Sequence, residues 1–174
     1  MLLSSYQARW PRDFKAIRRV LLSGLAIDQV QLEHVRSTAV PDLVAKPIID
    51  MDLVYHSFES LPLIHQHLEQ LGYVHRGDQG IAGREVFKRY AIGDLHPILD
   101  RISHHLYVCH QQNQELRRHL AFRDYLRIHE STRQEYEALK FIIAEKAGQD
   151  RKRYAALKEQ MAREFIETIL TKAN

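Results

Sequence analysis

Cysteine is almost missing: Cys109 stands alone among 174 residues. One cysteine cannot form an internal disulfide framework or a cysteine-rich zinc site, and it fits a reducing cytosol. No stretch approaches the ~20 consecutive apolar residues of a membrane-spanning helix. Arg9, Arg12, Arg18 and Arg19 interrupt the N-terminal pattern, so no signal peptide is expected there. Repeats and low-complexity segments are also lacking. Neither sign of charge dominates, with 25 Lys and Arg against 22 Asp and Glu. A soluble, cytoplasmic protein of one domain is therefore expected. A chain of this size buries roughly 70% of its unfolded surface and needs no covalent staple.

The charge is unevenly spread. Residues 1–30 hold five basic side chains against two acids, and 114–174 hold thirteen against ten. Residues 31–113 hold seven against ten, yet carry nine of the eleven histidines. A nucleic-acid-binding stripe would cluster Lys and Arg on one face. An acidic, histidine-rich middle fits a site for a metal and an anion instead, so no nucleic-acid partner is expected.

Hydrophobic periodicity predicts a helix over 11–24, with Pro11 in its first turn and Phe14, Ile17, Val20, Leu21 and Leu22 as its stripe. A short strand follows at 30–35, with Glu33 and His34 unusual for a strand interior, then a turn or short helix at 38–43. Pro47 opens a strand over 48–54 whose Ile, Met, Leu and Val content implies burial on both faces. A helix is expected over 61–71, stopped by Gly72. Strands are expected at 73–76, 85–90 and 104–109, the first two joined by a glycine-rich stretch from Gly77 to Gly83. From Gln114 the chain reads as helical to the end, with a break at Gly148. Mixed strands followed by helices predict an α/β (α+β) fold: a sheet core over 1–113 and a helical C-terminal part over 114–174.

Asp50-Met51-Asp52 is the strongest chemical signal. Residues i and i+2 of a strand share a face and lie roughly 6–7 Å apart. Two carboxylates there can bracket Mg²⁺, which prefers oxygen ligands and keeps water and substrate phosphate in its remaining positions. Arg36-Ser37-Thr38 follows the preceding strand, where amides and hydroxyls of a strand-to-helix turn can cradle phosphate, although Ser-Thr is also a common helix cap. Arg84 and Lys88 are an even number apart, so a continuous strand aims both at one face. There they could offset the charge of a triphosphate or simply protect a strand edge. His65-Gln66-His67 does not make a shared zinc site, because helical neighbours at i and i+2 point about 200° apart. It reads as a surface feature, and Trp10-Pro11 as an aromatic anchor before a helix.

The run Leu32-Glu33-His34-Val35-Arg36-Ser37-Thr38-Ala39-Val40-Pro41-Asp42-Leu43, continuing through Lys46-Pro47-Ile48-Ile49-Asp50-Met51-Asp52, closely resembles the GrpB family. The likeness extends to Tyr6, Arg9-Trp10-Pro11, Leu71-Gly72-Tyr73, Gly80-Ile81-Ala82-Gly83-Arg84, His104-His105-Leu106-Tyr107-Val108 and the segment from Arg118 to Leu126. It therefore covers nearly the whole chain. The resemblance implies a nucleotidyltransferase-like mixed sheet flanked by helices, akin to enzymes that move a nucleoside monophosphate from a triphosphate to an acceptor. It implies Asp50 and Asp52 as metal-binding and catalytic residues with Mg²⁺ as cofactor, and Ser37 with Arg36 at the phosphates. Arg84, Lys88, His104 and Arg123 are expected as further ligand contacts, the last on a helix face that the resemblance implies closes over the site. The partner would be a nucleoside triphosphate, with an acceptor the resemblance does not define.

The sequence departs from the family pattern at three places. Arg36 and Asp42 occupy positions where the family has glycine, and the third carboxylate of nucleotidyltransferases has no clean counterpart. His104 and His105 stand on the aligned strand, with Asp94 and Asp100 as loop alternatives. A glycine at position 36 would permit positive φ and close approach to phosphate. Arginine there is read as impairing transfer, so a catalytically inactive nucleotide- or coenzyme A-related binding or regulatory module is the rival expectation.

Overall fold

A computed structural model describes residues 2–26, 28–90 and 96–173. Among these the chain forms helices α1 (Trp10–Leu22), α2 (Leu61–Gln70), α3 (Gln114–Ile128), α4 (Glu130–Lys146), α5 (Arg151–Met161) and α6 (Arg163–Ala173). The strands are β1 (Val30–Val35), β2 (Ile49–Tyr55), β3 (Tyr73–His75), β4 (Arg84–Arg89) and β5 (His104–His110). The mixed sheet, its helices and the helical C-terminal region are the architecture the sequence predicts. The terminal helix is not continuous, however: it breaks at His129, around 147–150 and at Ala162. Gly148, at φ 58°, marks one break that the sequence shows; the extended backbone of His129 (φ −113°, ψ 93°) carries no such signal.

The chain divides into two compact units. The first comprises 8–35 and 48–117 and holds the sheet in the order β1-β2-β5-β4-β3. Only the central β2–β5 pair is parallel; the other pairs are antiparallel. α1 and α2 cover one face of this sheet, burying Trp10, Ile17, Leu21, Ile64 and Leu68 almost completely. Each such side chain contributes about 1.5–3 kcal/mol on removal from water. His34 belongs to this face and stacks on Phe14, with ring centroids 4.8 Å apart. At the end of α2, Gly72 takes φ 79°, a left-handed helix-ending conformation that a side chain would strain.

The second unit comprises 1–7, 36–47 and 118–174. Its core gathers Leu43, Leu126, Tyr136, Ile143, Tyr154, Ala162 and Ile169 from the 36–47 segment and the C-terminal helices. A bridge between Ser4 and Ala45, a 2.7 Å hydrogen bond from Leu2 N to Gln149 Oε1, and the buried side chains of Leu2 and Leu3 tie the N-terminal residues to it. Among the described residues no helix is long and apolar enough to cross a membrane.

Candidate functional site

Strand register places the acids. On β2, Asp50 and Asp52 alternate with Ile49, Met51 and Leu53, which are almost fully buried on the helix-covered face. The opposite face of the sheet is laid out in rows across the strands. Val35, Asp50 and His105 form one, Glu33, Asp52, Tyr107 and Val86 the next, and Gln31, Val54, Cys109 and Arg84 a third. Three carboxylates, Glu33, Asp50 and Asp52, therefore share one face, although Asp52 is only 1% exposed. Neighbouring strands lie about 4.8 Å apart, so Glu33 and Asp52 are within direct reach of each other. Such a concentration of acid is costly unless cations or donors face it.

Some of those groups are visible. His105 Nδ1 donates to Asp50 Oδ1 at 2.9 Å, which orients that carboxylate. The guanidinium of Arg84 lies 4.4 Å from the Tyr107 ring centroid and is 7% exposed. Its Nε is buried without a hydrogen bond among the described residues. Burial pushes the Cys109 thiol up to about 12, with the Asp52 carboxylate adding to the effect and Arg84 opposing it. Cys109 is thus a protonated core group and no nucleophile. By strand alternation exposed Lys88 belongs to this same face.

His104 does not. It pairs with Ile49 on the helix-covered face, away from Asp50 and Asp52. Its Nδ1 donates to Ile102 O at 2.7 Å and its Nε2 accepts from the Tyr73 hydroxyl at 2.5 Å. Burial lowers its pKa, which keeps it neutral in that arrangement. Asp100 is likewise committed elsewhere. Arg89 grips it through two hydrogen bonds of 2.6 and 2.7 Å, and this pairing holds its carboxyl below the usual carboxylate range. Asp94 lies outside the described residues. The carboxylate that joins Asp50 and Asp52 is Glu33, which the sequence marked as odd in a strand but could not align without the β1–β2 register.

Ser37, Arg36 and Arg123 belong to the second unit. Ser37 opens a 3-10 turn, Ser37–Ala39. Its Oγ accepts a 2.8 Å hydrogen bond from Lys140 Nζ on α4, a lysine only 2% exposed. Lys140 also donates to the Val44 carbonyl. Arg127 grips the Ala39 carbonyl with two donors, at 3.0 and 2.9 Å. Arg123 donates to Asp124 at 2.8 and 3.0 Å and holds that carboxyl below its ordinary value. The sequence singled out Ser37 and Arg123, but not the buried Lys140 behind the serine.

Arg36 has φ 62° and ψ −159°, and Asp42 has φ 61°. Both positions at which the resemblance implies glycine thus have a backbone that glycine favours, with a side chain imposed on it. The region Arg36 occupies is nearly exclusive to glycine and costs of order 1–3 kcal/mol. Arg36→Gly and Arg36→Ala both delete the guanidinium, yet only glycine relieves the backbone. Melting curves are expected to rank the glycine variant above the alanine variant by about 1–3 kcal/mol. Equal stabilities would show the turn to be unstrained.

A cleft of about 210 Å³ beside α2, lined by Gly24, Gln29, Ser60, Ile64 and His67 among others, contains no acidic side chain. It takes no part in the acidic site.

Comparison with known proteins extends this picture. One relative, UPF0157 protein YqkA of Bacillus subtilis, is 32% identical over 80% of this chain, which spans only 38% of that protein's length. Glutamate-rich protein GrpB of Alkalihalophilus pseudofirmus is 29% identical over 95% of this chain and 94% of its own. The crystal structure of conserved protein GrpB from Enterococcus faecalis superimposes with a TM-score of 0.78 at 30% identity. That match covers 98% of this chain and 96% of the other. A model of the family described as GrpB protein matches residues 1–171, and the chain belongs to the GrpB family.

Proposed function

We propose that this chain is a cytoplasmic, Mg²⁺-dependent nucleotide-binding protein that transfers a nucleotidyl group from a nucleoside triphosphate to an acceptor hydroxyl. The observation that carries this reading is the grouping of Glu33, Asp50 and Asp52 on one sheet face, with Arg84 and Lys88 on the same face. The donor set fits the metal: hard carboxylate oxygens at strand positions i and i+2, one oriented by a histidine. Asp50 and Asp52 would hold Mg²⁺, and Arg84 and Lys88 would offset the triphosphate charge. When bound, the metal supplies charge neutralisation at the phosphoryl oxygens. In the transfer, a bond forms between the acceptor oxygen and the α-phosphorus while the α–β phosphoanhydride bond breaks. Pyrophosphate leaves, and the hydroxyl proton passes to a carboxylate of this face. The phosphate role that the resemblance gives Ser37 and Arg36 is a separate expectation, read from the nucleotide affinity of Arg36→Gly.

Thermal-shift measurements with ATP, GTP, CTP and UTP, each with and without Mg²⁺, test the binding step. At least one nucleotide is expected to stabilise the protein only when Mg²⁺ is present. Shifts that ignore Mg²⁺, or no shift with any of the four, would overturn the reading.

Arg36 favours a second reading, a catalytically silent module that binds a nucleotide or coenzyme A-like ligand. It would keep the turn's backbone while a guanidinium occupies the glycine position. Transfer of labelled nucleotide by Arg36→Gly and not by the parent chain would support this alternative.

A further inference from the structure

The helix-covered face of the sheet carries a second group of ligating side chains, unconnected with Asp50 and Asp52. His65 on α2, His75 on β3 and Glu85 on β4 each offer one ligand atom, and all three atoms lie within 4.8 Å of one another. Register explains the convergence. His75 pairs with Phe87, and Glu85 lies two residues before Phe87, so all three point to one face. Arg84 and Glu85 are chain neighbours and therefore serve opposite faces. α2 packs on this face beside β3 and brings His65 over it.

The geometry is close to what a small transition-metal ion requires. Glu85 Oε2 stands 2.5 Å from His65 Nε2 and 3.2 Å from His75 Nε2. Ligand bonds of ~2.0–2.2 Å at a tetrahedral ion put neighbouring donors roughly 3.3 Å apart. The His75 contact already has this spacing, and the His65 contact must open by less than about 1 Å. The two imidazoles stand at 62° to each other with centroids 4.9 Å apart. Phe87, 2% exposed, packs against both rings at 5.0 and 5.1 Å and limits their movement. The three side chains remain 26%, 37% and 27% exposed, which leaves a route for an ion and for water.

We infer that His65, His75 and Glu85 form a binding site for a divalent transition-metal ion of the Zn²⁺ class, with water completing the coordination. Two imidazoles and one carboxylate are a recurrent zinc ligand set with an open position. Mg²⁺ prefers all-oxygen ligation, so the two faces of the sheet differ in metal as well as in place. His67, on the same helix, points elsewhere and hydrogen-bonds the Leu21 carbonyl at 3.0 Å.

Calorimetric titration of the metal-stripped full chain with Zn²⁺ tests the site, with Co²⁺ absorption as a second readout. The parent protein is expected to bind one Zn²⁺ tightly and to give the intense visible spectrum of tetrahedral Co²⁺. His75→Ala and Glu85→Gln are each expected to weaken that event by at least ~100-fold, beyond what loss of an outer-shell partner produces. His67→Ala, and Asp50→Asn with Asp52→Asn, are expected to leave it unchanged. Retention of the tight event in both His75→Ala and Glu85→Gln would overturn the assignment, as would its loss in His67→Ala. Zn²⁺ should also raise the melting temperature of the parent chain, and no shift at saturating Zn²⁺ would equally refute the site.

Discussion

Replacing Asp50 and Asp52 together by asparagine is expected to abolish Mg²⁺-dependent nucleotide binding while leaving the fold intact. Asparagine preserves the shape of each side chain, so the buried surroundings of Asp52 need not rearrange. What disappears is two of the three negative charges on one sheet face. A nucleotide at ~100 Kd adds ~2.7 kcal/mol to the stability of the parent chain, worth roughly 5–11 °C in melting temperature at this chain length. The double variant should show none of that shift. Without ligand it should melt close to the parent temperature, because relief of the mutual repulsion of Glu33, Asp50 and Asp52 is opposed by the weakened His105–Asp50 hydrogen bond. A ligand shift equal to that of the parent would remove the metal assignment. A large loss of ligand-free stability would instead mark the aspartates as structural.

The second large effect is expected at Lys140. Its ammonium is sealed among the second unit's helices and bonds Ser37 Oγ and the Val44 carbonyl. It also lies 5.4 Å from the centroid of the Tyr136 ring. Removing a donor leaves each buried acceptor unsatisfied at a cost of about 1–3 kcal/mol, partly offset because an ammonium no longer has to be desolvated. Lys140→Ala also deletes three methylenes' worth of packing at about 0.8 kcal/mol each. The alanine variant is thus expected to lose about 3–5 kcal/mol, or roughly 6–20 °C in melting temperature. Lys140→Met, which retains the apolar stem, should lose about 1–3 kcal/mol by chemical denaturation. A methionine variant as stable as the parent would mean that the ammonium contributes nothing net.

What the sequence made legible was whatever local periodicity controls. The apolar alternation around Asp50 and Asp52 fixes both the strand and the common face of the two acids, and Gly72 marks the end of α2. Other features depend on pairing between distant segments. Glu33 joins the acids only through the β1–β2 register, and which of His104 and His105 faces them is decided only once β5 is set beside β2. Lys140 sits in a helix whose sequence has many charged residues, and nothing local distinguishes a buried lysine from a solvated one. His65 and His67 diverge, as helical geometry requires. The partners of His65 come from β3 and β4, ten and twenty residues along the chain, and no spacing rule within the helix could name them.

The position of β5 between β2 and β4 also sets the order in which the sheet can be made. β1 with β2, and β3 with β4, are antiparallel pairs near in sequence, whereas β5 must reach back across 55 positions to align His105 with Asp50. Long-range parallel pairing is slow because loop closure precedes its reward. During synthesis, then, the sheet cannot close until residues 104–110 leave the ribosome, and any β1–β2 or β3–β4 pair formed earlier presents an open inner edge. Those edges are templates for unwanted strand pairing. Chains stalled or truncated before His104 should therefore be the species that aggregates and that chaperones must hold.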